Sequence, residues 1–409
     1  MKPLFVLCLG LLRNASVMAA GTTPAWLAPH LPPDAVLDGA TSHQSALQQA
    51  LDASPDGATL VFPPATFLLD DARGLRVPSN RTLVLDGATF LLSPSLAEDG
   101  QAFLLEDASN VTIRGGSIQG HRDAWPESVN IAGIRATGGG SHIRVESTRF
   151  LDLSSVGVGV FGAGPENPIR HVWIVDVYAR NCCNIYYDYL SEKRGPAEGS
   201  VREDQGSVCL YYVEDFVVRG CYLDGSRSDG THFKDCKNGQ ITDNQILNST
   251  MGGFFLERCQ KVVATGNIMR NNGSRGCTIE RDSLDCILSN NIVEHSGREG
   301  LWAPDVARLV VANNIFRENG QKDDANKDSE IRINEEPRYD TVPADILIQG
   351  NLFQSTPHCN SVIQINAGAG DGIVIAGNRF TGPVRTLAID AGVNVTIVGN
   401  FGLATANNE

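Results

Sequence analysis

The chain has 409 residues, 42 of them glycine, and a formal net charge of −14 at pH 7. A charge of this sign disfavours nucleic acids and anionic membrane surfaces as partners, because both are themselves negatively charged. The length would accommodate two or three ordinary domains, but the repeat described below predicts a single elongated one.

The N-terminus has the pattern of a secretory signal peptide. Lys2 precedes the apolar run PLFVLCLGLL, and a stretch of small residues ends in VMAA. The apolar run is too short to span a bilayer. We therefore predict a signal peptide over residues 1–20, cleaved after Ala19 or Ala20. The mature protein is expected to be secreted or periplasmic, without a membrane span.

A short helix is predicted ahead of the repeats. In SHQSALQQALDASPDG (42–57), Ala46, Leu47, Ala50 and Leu51 recur at helical spacing. The end of a solenoid exposes its apolar interior and needs a cap, so this helix is the expected N-terminal cap, at about residues 35–60. The segments LVLDGATFLL, VTIRGGSIQG and HIRVESTRF follow it and are interpreted as early, less regular turns.

An asparagine recurs about every 23 residues in the second half of the chain, with first intervals of 23, 24 and 23 residues. A fixed period of this length is typical of a solenoid. Short β-rich runs separated by Asn, Gly and Ser indicate that its repeats are strands. One buried Asn per turn is expected to form a hydrogen-bonded ladder. The positions are Asn244, Asn267, Asn291, Asn314, Asn351, Asn378 and Asn400.

Between the asparagines a second strand recurs as GTHFKDC, GFFLERC, GCTIERD and GLWAPD, with glycine intervals of 23, 23 and 24 residues. Strand side chains alternate between two faces, so this register separates inward from outward residues. Predicted inward are Ile185, Tyr187, Cys209, Tyr211, Thr231, Phe233, Phe254, Leu256, Cys277, Ile279, Leu301 and Ala303. Predicted outward are Tyr186, Asp188, Leu210, Tyr212, His232, Lys234, Phe255, Glu257, Thr278, Glu280, Trp302, Pro304, Arg332, Asn334, Gln364 and Asn366.

Three stretches interrupt the period. They are residues 161–170, residues 189–206, and the 37-residue interval from Asn314 to Asn351, which contains QKDDANKDS and EEPRYDTVP. Insertions in solenoids form loops on one face, often the binding face. Since several of them follow the outward strand directly, we expect them to wall a groove over it.

Nine cysteines remain after removal of the signal peptide. Cys236 and Cys259 are one period apart, which would place them on adjacent turns, where an exported protein could form a disulfide. The alternative is a set of buried thiols that pack as small apolar residues. No Cys or His spacing matches a zinc site, so no metal bound through thiols is predicted.

The stretch SALQQALDASPDGATLVFPPATFLL, followed by turns ending in an xNxI pattern, resembles the right-handed parallel β-helix proteins of the pectate-lyase-like superfamily over roughly residues 35–400. The resemblance implies an all-β, single-stranded right-handed parallel β-helix, for which we count about eleven turns. We expect one domain over residues 21–409, with turns at about 60–402.

No single activity follows from this resemblance, since such proteins include lyases, glycoside hydrolases, epimerases, esterases and tail-spike binders. The polygalacturonase motifs and the DPHD string of exported alginate epimerases are both absent. In the chondroitinase and alginate lyase type, a Lys on one turn is followed by an Arg on the next. Lys234 matches that Lys, but Glu257 stands in the place of the Arg.

Lys234, Glu257 and Glu280 occupy the same outward position on three consecutive turns. Turns stack about 4.8 Å apart, so the two carboxylates cannot both ionise freely and one pKa should rise. A carboxyl pair about 5 Å apart is the arrangement of retaining glycosidases. Glu257, kept ionised by Lys234, is the predicted nucleophile, and Glu280 the acid/base. The alternative is a surface ion pair of Lys234 with Glu257, with Glu280 paired to Arg258 or Arg281.

Other outward residues are candidates for the same site. His232, near Asp229, is a candidate general base, or else a neutral hydrogen-bonding residue. Aromatic side chains in a line along a groove can stack on sugar rings, and arginines can hold a carboxylate or sulfate, although Arg258 and Arg281 could equally pair with Asp235 or Asp282. The predicted substrate-binding residues are Trp302, Phe255, Tyr212, Tyr186, Asp188, Arg281, Arg258 and Arg332.

Three functions remain open at this point. The first is a secreted glycoside hydrolase or transglycosidase that acts on a polysaccharide or oligosaccharide through Glu257 and Glu280. The second is a uronate lyase or C5-epimerase with Lys234 or His232 as base and an arginine or calcium ion neutralising the carboxylate. The third is a non-catalytic glycan-binding protein. No cofactor is required. Calcium is the metal allowed, with oxygen donors from Glu257, Glu280, Asp235 and Asp188. The Glu pair favours the first function.

Overall fold

The computed structural model describes residues 23–126, 128–184, 205–322, 328–336 and 338–404. The predicted signal peptide lies outside these residues, and so do Tyr186 and Asp188, two of the predicted substrate-binding residues.

The described chain coils into a parallel β-helix with three sheets along its length. It contributes twelve strands to sheet 1, fourteen to sheet 2 and thirteen to sheet 3. The chain passes from sheet 1 to sheet 2 to sheet 3 and then returns to sheet 1 one turn further along. Neighbouring strands within each sheet are parallel. About twelve turns result, against the eleven predicted.

The strands are short, as expected where each turn has three corners. Sheet 1 consists of Leu75–Arg76, Gly100–Glu106, Ile131–Gly138, Val158–Gly162, Gly206–Tyr211, Asp229–Lys234, Phe254–Glu257, Cys277–Glu280, Leu301–Pro304, Ile331–Asn334, Ile363–Ile365 and Leu387–Ile389. Sheet 2 consists of Thr59–Val61, Arg81–Val84, Val111–Arg114, Ser141–Glu146, Ile169–Val175, Val213–Arg219, Lys237–Thr242, Gln260–Thr265, Ser283–Leu284, Ile287–Ser289, Val306–Ala312, Ala344–Gln349, Ile373–Ala376 and Val395–Val398. Sheet 3 consists of Asp38–Ser42, Thr66–Leu69, Thr89–Leu92, Ser117–Gln119, Arg149–Leu151, Tyr178–Arg180, Tyr222–Asp224, Gln245–Leu247, Ile268–Arg270, Ile292–Glu294, Ile315–Arg317, Leu352–Gln354 and Arg379–Thr381.

The predicted cap helix is present as Gln44–Ala53, preceded by the 3₁₀ turn Ala28–His30. Leu47, Ala50 and Leu51 are buried in the same apolar core that runs through the solenoid. Ala46, predicted on the buried face, is only half-buried, because the helix turns Gln44 toward the first turns instead.

Gln44 closes the end of the solenoid with polar contacts. Its Nε2 donates to the carbonyl oxygens of Asp71 and Gly74, both at 3.0 Å, and its Oε1 accepts the N–H groups of Asp70 and Asp71, both at 2.9 Å. These backbone groups belong to the last residues before the first sheet 1 strand and have no earlier turn to pair with. The side chain satisfies them in its place.

The predicted asparagine ladder lies at the corner between sheets 2 and 3. The Oδ1 atom of Asn291 accepts the backbone N–H and the side-chain amide of Asn267, each at 2.9 Å. Its own N–H and Nδ2 donate to Oδ1 of Asn314 at 2.9 and 3.0 Å. The same pattern continues through Asn351 and Asn378 to Asn400. Most of the ladder is buried, so the interpretation of the repeat is confirmed.

A second ladder, which was not predicted, lies at the corner between sheets 3 and 1. Oδ1 of Asn272 accepts the N–H of Ser249 at 3.0 Å, and Oδ1 of Asn319 accepts the N–H of Ser296 at 3.1 Å. The next position is taken by Glu330, whose carboxyl group accepts the N–H and Nδ2 of Asn319 at 3.2 and 2.6 Å. A fully buried carboxyl group thus stands where the pattern would place an amide.

The nine cysteines within the described residues are buried and free. The Sγ of Cys236 points to the carbonyl oxygen of Leu210 at 3.1 Å, and that of Cys259 to the carbonyl oxygen of Phe233 at 3.4 Å. The structure therefore contains the buried thiols of the second alternative and no Cys236–Cys259 disulfide.

Candidate active site on sheet 1

The predicted stack of charged residues is present on the outward face of sheet 1. Lys234 pairs in register with Glu257, and Glu257 with Glu280, on three consecutive strands. The alternate residues, such as Phe233 and Leu256, point into the core. Further along, Trp302, Arg332 and Gln364 also pair in register. The register predicted for these strands is confirmed.

This outward face is buried, whereas the alternative of a surface ion pair requires a solvated one. Five of its residues are only 0% to 9% exposed, namely His232, Phe255, Glu257, Glu280 and Trp302. Strands about 4.8 Å apart place successive outward side chains in contact with one another. An ordinary solvated ion pair is therefore wrong as a description of Lys234 and Glu257. Their pair exists, at 3.5 Å, but the carboxylate is buried.

The register predicted for the strand upstream is wrong by one residue. Leu210 pairs with Phe233 and Tyr211 with Lys234, so Leu210 faces inward and Tyr211 outward. Tyr212 lies beyond the strand, at the corner toward sheet 2, with a left-handed backbone (φ 53°) and a half-buried side chain. The residues whose predicted side is reversed are Cys209, Leu210 and Tyr211. This strand follows the 189–206 insertion, and no repeat glycine fixes its phase there.

Phe255 and Trp302, two of the aromatic residues predicted to stack on sugar rings, are covered rather than exposed. The ring of Phe255 lies 4.4 Å from that of His232, with 14° between their planes. The guanidinium carbon of Arg275 lies 3.8 Å from the ring centre of Trp302, and Nε1 of Trp302 donates to Oδ1 of Asn334 at 2.7 Å. Open platforms at these two positions are therefore wrong, and any contact with a substrate stays a prediction.

Glu257 is the centre of the site, because four cationic side chains converge on its carboxylate. Arg258 Nη1 lies 2.7 Å and Lys234 Nζ 3.5 Å from Oε1. His232 Nε2 lies 3.5 Å and Arg281 Nη1 3.7 Å from Oε2. Burial alone would raise the pKa of Glu257, but the contact with His232 and the charges of Lys234 and Arg281 outweigh it and lower the pKa well below its ordinary value.

His232 lies between two carboxylates. Its Nδ1 is 3.3 Å from Oδ2 of Asp229, on the side opposite Glu257. Burial would lower the pKa of His232, but the hydrogen bonds to Asp229 and Glu257 prevail and raise it. A raised pKa favours the imidazolium form. The environment therefore suits His232 better as a charged hydrogen-bond donor than as the general base considered from the sequence.

Glu280 has the opposite environment, although it occupies the same position one turn further along. It is fully buried, and Arg281 Nη1 lies 2.7 Å from its Oε1. Among the described residues, neither of its oxygen atoms has a well-aligned hydrogen-bond donor. Burial raises the pKa of Glu280 to about 7, against the lowering effect of Arg281. The two carboxyl groups thus favour different protonation states near neutral pH.

Arg258 and Arg281 lie at the corner between sheets 1 and 2, as predicted, both with a left-handed backbone (φ 52° and 54°). Arg258 makes a bidentate contact with Asp235, at 2.8 Å for both nitrogen–oxygen pairs, as one of the predicted alternatives requires. Arg281 instead contacts Glu280, Glu257 and Glu336. Arg258 therefore joins the corner to the site, and Arg281 links both carboxyl groups of the pair.

A second charged group lies further along sheet 1, beside Trp302. The buried carboxylate of Glu299 is 3.4 Å from Arg275, 3.4 Å from Arg298 and 3.7 Å from Arg332. Arg332, a predicted substrate-binding residue, also donates through Nε to Oδ1 of Asn366 at 3.1 Å. Three guanidinium groups around one carboxylate provide hydrogen-bond donors in fixed positions.

Two of the predicted insertions border the site at this corner. Pro165 and Pro168, from residues 161–170, line a cavity of about 240 Å³ together with Tyr212, Asp235 and Arg258. On the other side, Tyr339 from EEPRYDTVP has its ring centre 5.6 Å from the guanidinium carbon of Arg281. The 189–206 insertion lies almost wholly outside the described residues.

The residues of the site that were not predicted include Arg275, Arg298, Glu299 and Tyr339. Arg275 and Glu299 each directly precede an aligned glycine, one period apart, so the repeat itself contained their signal. Tyr339 lies in an insertion, where the period assigns no position.

Within the described residues, no three His, Cys, Asp or Glu side chains are grouped so that they could hold a metal ion. The predicted calcium donors therefore form no such group there. In the same part of the chain, no helix has the length and apolar character of a membrane-spanning segment.

Comparison with known proteins agrees with this architecture. Residues 206–401 match the family described as a right-handed β-helix region. The chain is a right-handed parallel β-helix. No curated protein matches its sequence.

Solved structures similar to this β-helix come from proteins with different roles. The A-module of the mannuronan C-5 epimerase AlgE6 from Azotobacter vinelandii shares 15% identity at a TM-score of 0.62, over 91% of this chain and 98% of that one. The surface adhesin PfbA of Streptococcus pneumoniae shares 13% at 0.59, over 91% of both chains. Tailspike protein 3 of bacteriophage CBA120 shares 11% at 0.55, over 90% of this chain and 60% of that one. Similarity at this level of identity is a similarity of fold.

Proposed function

We propose that this β-helix acts on a polysaccharide or oligosaccharide and cleaves or transfers glycosidic bonds, with Glu257 as nucleophile and Glu280 as acid/base. The observation that carries the proposal is the opposed environments of two register-paired carboxyl groups. The pKa of Glu257 is lowered by surrounding cations, whereas burial raises the pKa of Glu280 to about 7. One ionised and one protonated carboxyl group on adjacent strands are what a retaining mechanism requires.

In the first step, a carboxylate oxygen of Glu257 attacks the anomeric carbon while Glu280 transfers its proton to the leaving oxygen, and the glycosidic bond breaks. In the second step, ionised Glu280 takes a proton from water or from a sugar hydroxyl. The oxygen of that acceptor then displaces Glu257 from the anomeric carbon. Water gives hydrolysis and a sugar hydroxyl gives transfer.

The exposed side chains around the carboxyl pair indicate the direction from which a substrate would approach. Glu280 is fully buried, but the side chains of Lys234 and Arg258, both in contact with Glu257, are 26% and 32% exposed. A substrate is therefore expected to reach the pair from the corner between sheets 1 and 2. The glycan as substrate class is supported by the similarity to a mannuronan epimerase, since mannuronan is a polysaccharide.

The proposal is tested by measuring new reducing ends on a broad panel of glycans. Glu257→Gln and Glu280→Gln should each lower kcat by roughly 100-fold or more, because each removes a group that acts in the transition state. Glu318→Gln, at a half-buried glutamate that contacts His295 away from the pair, is the matched control and should remain active. Full activity in either site variant on a substrate that the unmodified protein cleaves would show that the pair is not catalytic.

A uronate lyase or C5-epimerase is the second candidate, favoured by the convergence of cationic groups on one point of sheet 1. A substrate carboxylate near Arg258 or Arg281 would meet the same donors that now contact Glu257. Lys234 would be the base, since the environment of His232 favours its charged form. A lyase would give an unsaturated uronide, detected by ultraviolet absorbance. An epimerase would change the uronate composition seen by NMR without shortening the chain. A hydrolase would give neither result.

A further inference from the structure

The chain between the sheet 1 strand Ile331–Asn334 and the sheet 2 strand Ala344–Gln349 passes beside the carboxyl pair. We call its residues 335–336 and 338–343 the crossing segment. Two aspartates on consecutive turns hold this segment. The N–H of Glu336 donates to Oδ1 of Asp305 at 2.7 Å, and the N–H of Thr341 donates to Oδ1 of Asp282 at 2.9 Å.

The two aspartates are themselves fixed to each other and to the solenoid. Both have a left-handed backbone, with φ values of 65° and 52°, and the N–H of Asp282 donates to the carbonyl oxygen of Asp305 at 2.8 Å. Asp305 is fully buried. The crossing segment is therefore anchored at two points five residues apart to the corner that begins with Arg281.

Between these anchors, the crossing segment presents two side chains to Arg281. The ring centre of Tyr339 lies 5.6 Å from the guanidinium carbon of Arg281 and 5.3 Å from that of Arg338. Oε2 of Glu336 lies 3.9 Å from Nε of Arg281 and 3.2 Å from Nη2 of Arg338. A guanidinium against an aromatic face within about 6 Å is attracted by the ring. Arg281 is thus contacted by the crossing segment as well as by the carboxyl pair.

We propose that Tyr339 is a positioning residue, which the Asp282 and Asp305 anchors hold against Arg281 so that this guanidinium stays on Glu257 and Glu280. The use of this positioning in catalysis rests on the function proposed above. Among the described residues, Arg281 contacts both carboxyl groups, at 3.7 Å from Glu257 and 2.7 Å from Glu280. Its position therefore determines how strongly its positive charge acts on the buried Glu280.

The test is a titration of Glu280 by NMR in protein labelled with ¹³C at the glutamate carboxyl carbons, with Glu280→Gln to assign the signal. Tyr339→Ala should raise the midpoint by about half a pH unit or more, because a mobile Arg281 no longer favours the ionised carboxylate as strongly. Tyr339→Phe keeps the ring and should titrate as the unmodified protein does. Asp282→Ala releases the Thr341 anchor and should give a shift in the same direction as Tyr339→Ala.

The decisive control is the Arg281→Gln background, in which Tyr339→Ala should cause no further shift. An unchanged midpoint in folded Tyr339→Ala would overturn the proposal, and so would a shift of the same size in the Arg281→Gln background. Should Tyr339→Ala fail to fold by circular dichroism, the Asp282→Ala comparison with and without Arg281→Gln decides in the same way. Because the titration needs no turnover, its result is independent of the glycan assay that tests the proposed function.

Discussion

At the scale of single residues, two glutamates at the same position of the repeat differ in pKa because their surroundings differ. Glu257 has four cationic neighbours, among them His232 and Lys234, and its pKa is lowered. Glu280 is one turn further along and fully buried, and its pKa is raised to about 7. The spacing alone predicted that one pKa would rise. It could not predict the burial, which depends on how neighbouring outward side chains and the crossing segment pack.

A pH dependence follows for the proposed reaction. Only the protonated form of Glu280 can donate to the leaving oxygen, so kcat/KM should fall as the pH rises through about 7. The measurement is the pH profile of kcat/KM on the cleaved glycan, with a slope of about −1 on the alkaline side for loss of one proton. A rate that stays constant well above pH 7 would exclude Glu280 as the proton donor.

At the scale of the elements, the corners between the sheets supply charged residues to the site, as the strands do. The corner between sheets 1 and 2 contains Arg258 and Arg281 in left-handed conformations, and their sequence position was sufficient to predict this placement. The contacts of Tyr339 could not be predicted in the same way, because an insertion has no register. Tyr211 was assigned to the wrong side of the sheet for a related reason, since its strand follows an insertion that interrupts the period.

The buried Glu330 at the corner between sheets 3 and 1 leads to a prediction about the stability of the protein. Burial raises the pKa of Glu330 to about 8, against the hydrogen bonds from Asn319 that lower it. The pKa of Glu330 is therefore higher in the folded protein than in the unfolded chain, where it is about 4.3. The neutral carboxyl group contributes its full stability below this unfolded pKa. That contribution is lost as the pH rises through about 8. Glu330→Gln cannot ionise and keeps one side-chain oxygen that can accept the Asn319 donors, so it should remove this loss.

Thermal unfolding across this pH range measures the effect. The Tm of Glu330→Gln should match that of the unmodified protein near pH 4 and exceed it by a few degrees above pH 8. Glu98→Gln, at an exposed glutamate, should leave the pH dependence of the Tm unchanged. Parallel curves for Glu330→Gln and the unmodified protein would show that Glu330 titrates as an ordinary carboxyl group.

At the scale of the whole molecule, one period of 23 or 24 residues determines the architecture. Each turn buries its apolar residues mainly against its neighbours, so the local pattern contains nearly all the information that the fold requires. The asparagine ladder and the strands next to it were predicted for this reason, whereas the cap helix was predicted from its own helical spacing. The second ladder follows the same period through Ser249, Asn272, Ser296 and Asn319 and could have been found in the same way.

The asparagine ladder between sheets 2 and 3 also leads to a prediction about substitutions in its interior and at its end. Asn291→Ala would leave the N–H of Asn267 and the carbonyl oxygen of Ala264 without their partners in a buried corner. Each unsatisfied buried group costs about 1–3 kcal/mol, so a loss of several kcal/mol in the free energy of unfolding is expected. Asn400→Ala removes the equivalent groups at the last, half-buried position, where water can replace them, and should cost about 1 kcal/mol or less.

Urea unfolding of the two variants under identical conditions gives the comparison, with the midpoint read at an unchanged m-value. Asn291→Ala should shift the midpoint several times further than Asn400→Ala, because an interior gap separates turns that otherwise stabilise one another. Equal midpoint shifts would mean that the ladder contributes only local hydrogen bonds. The coupling between turns would then have to come from the apolar core alone.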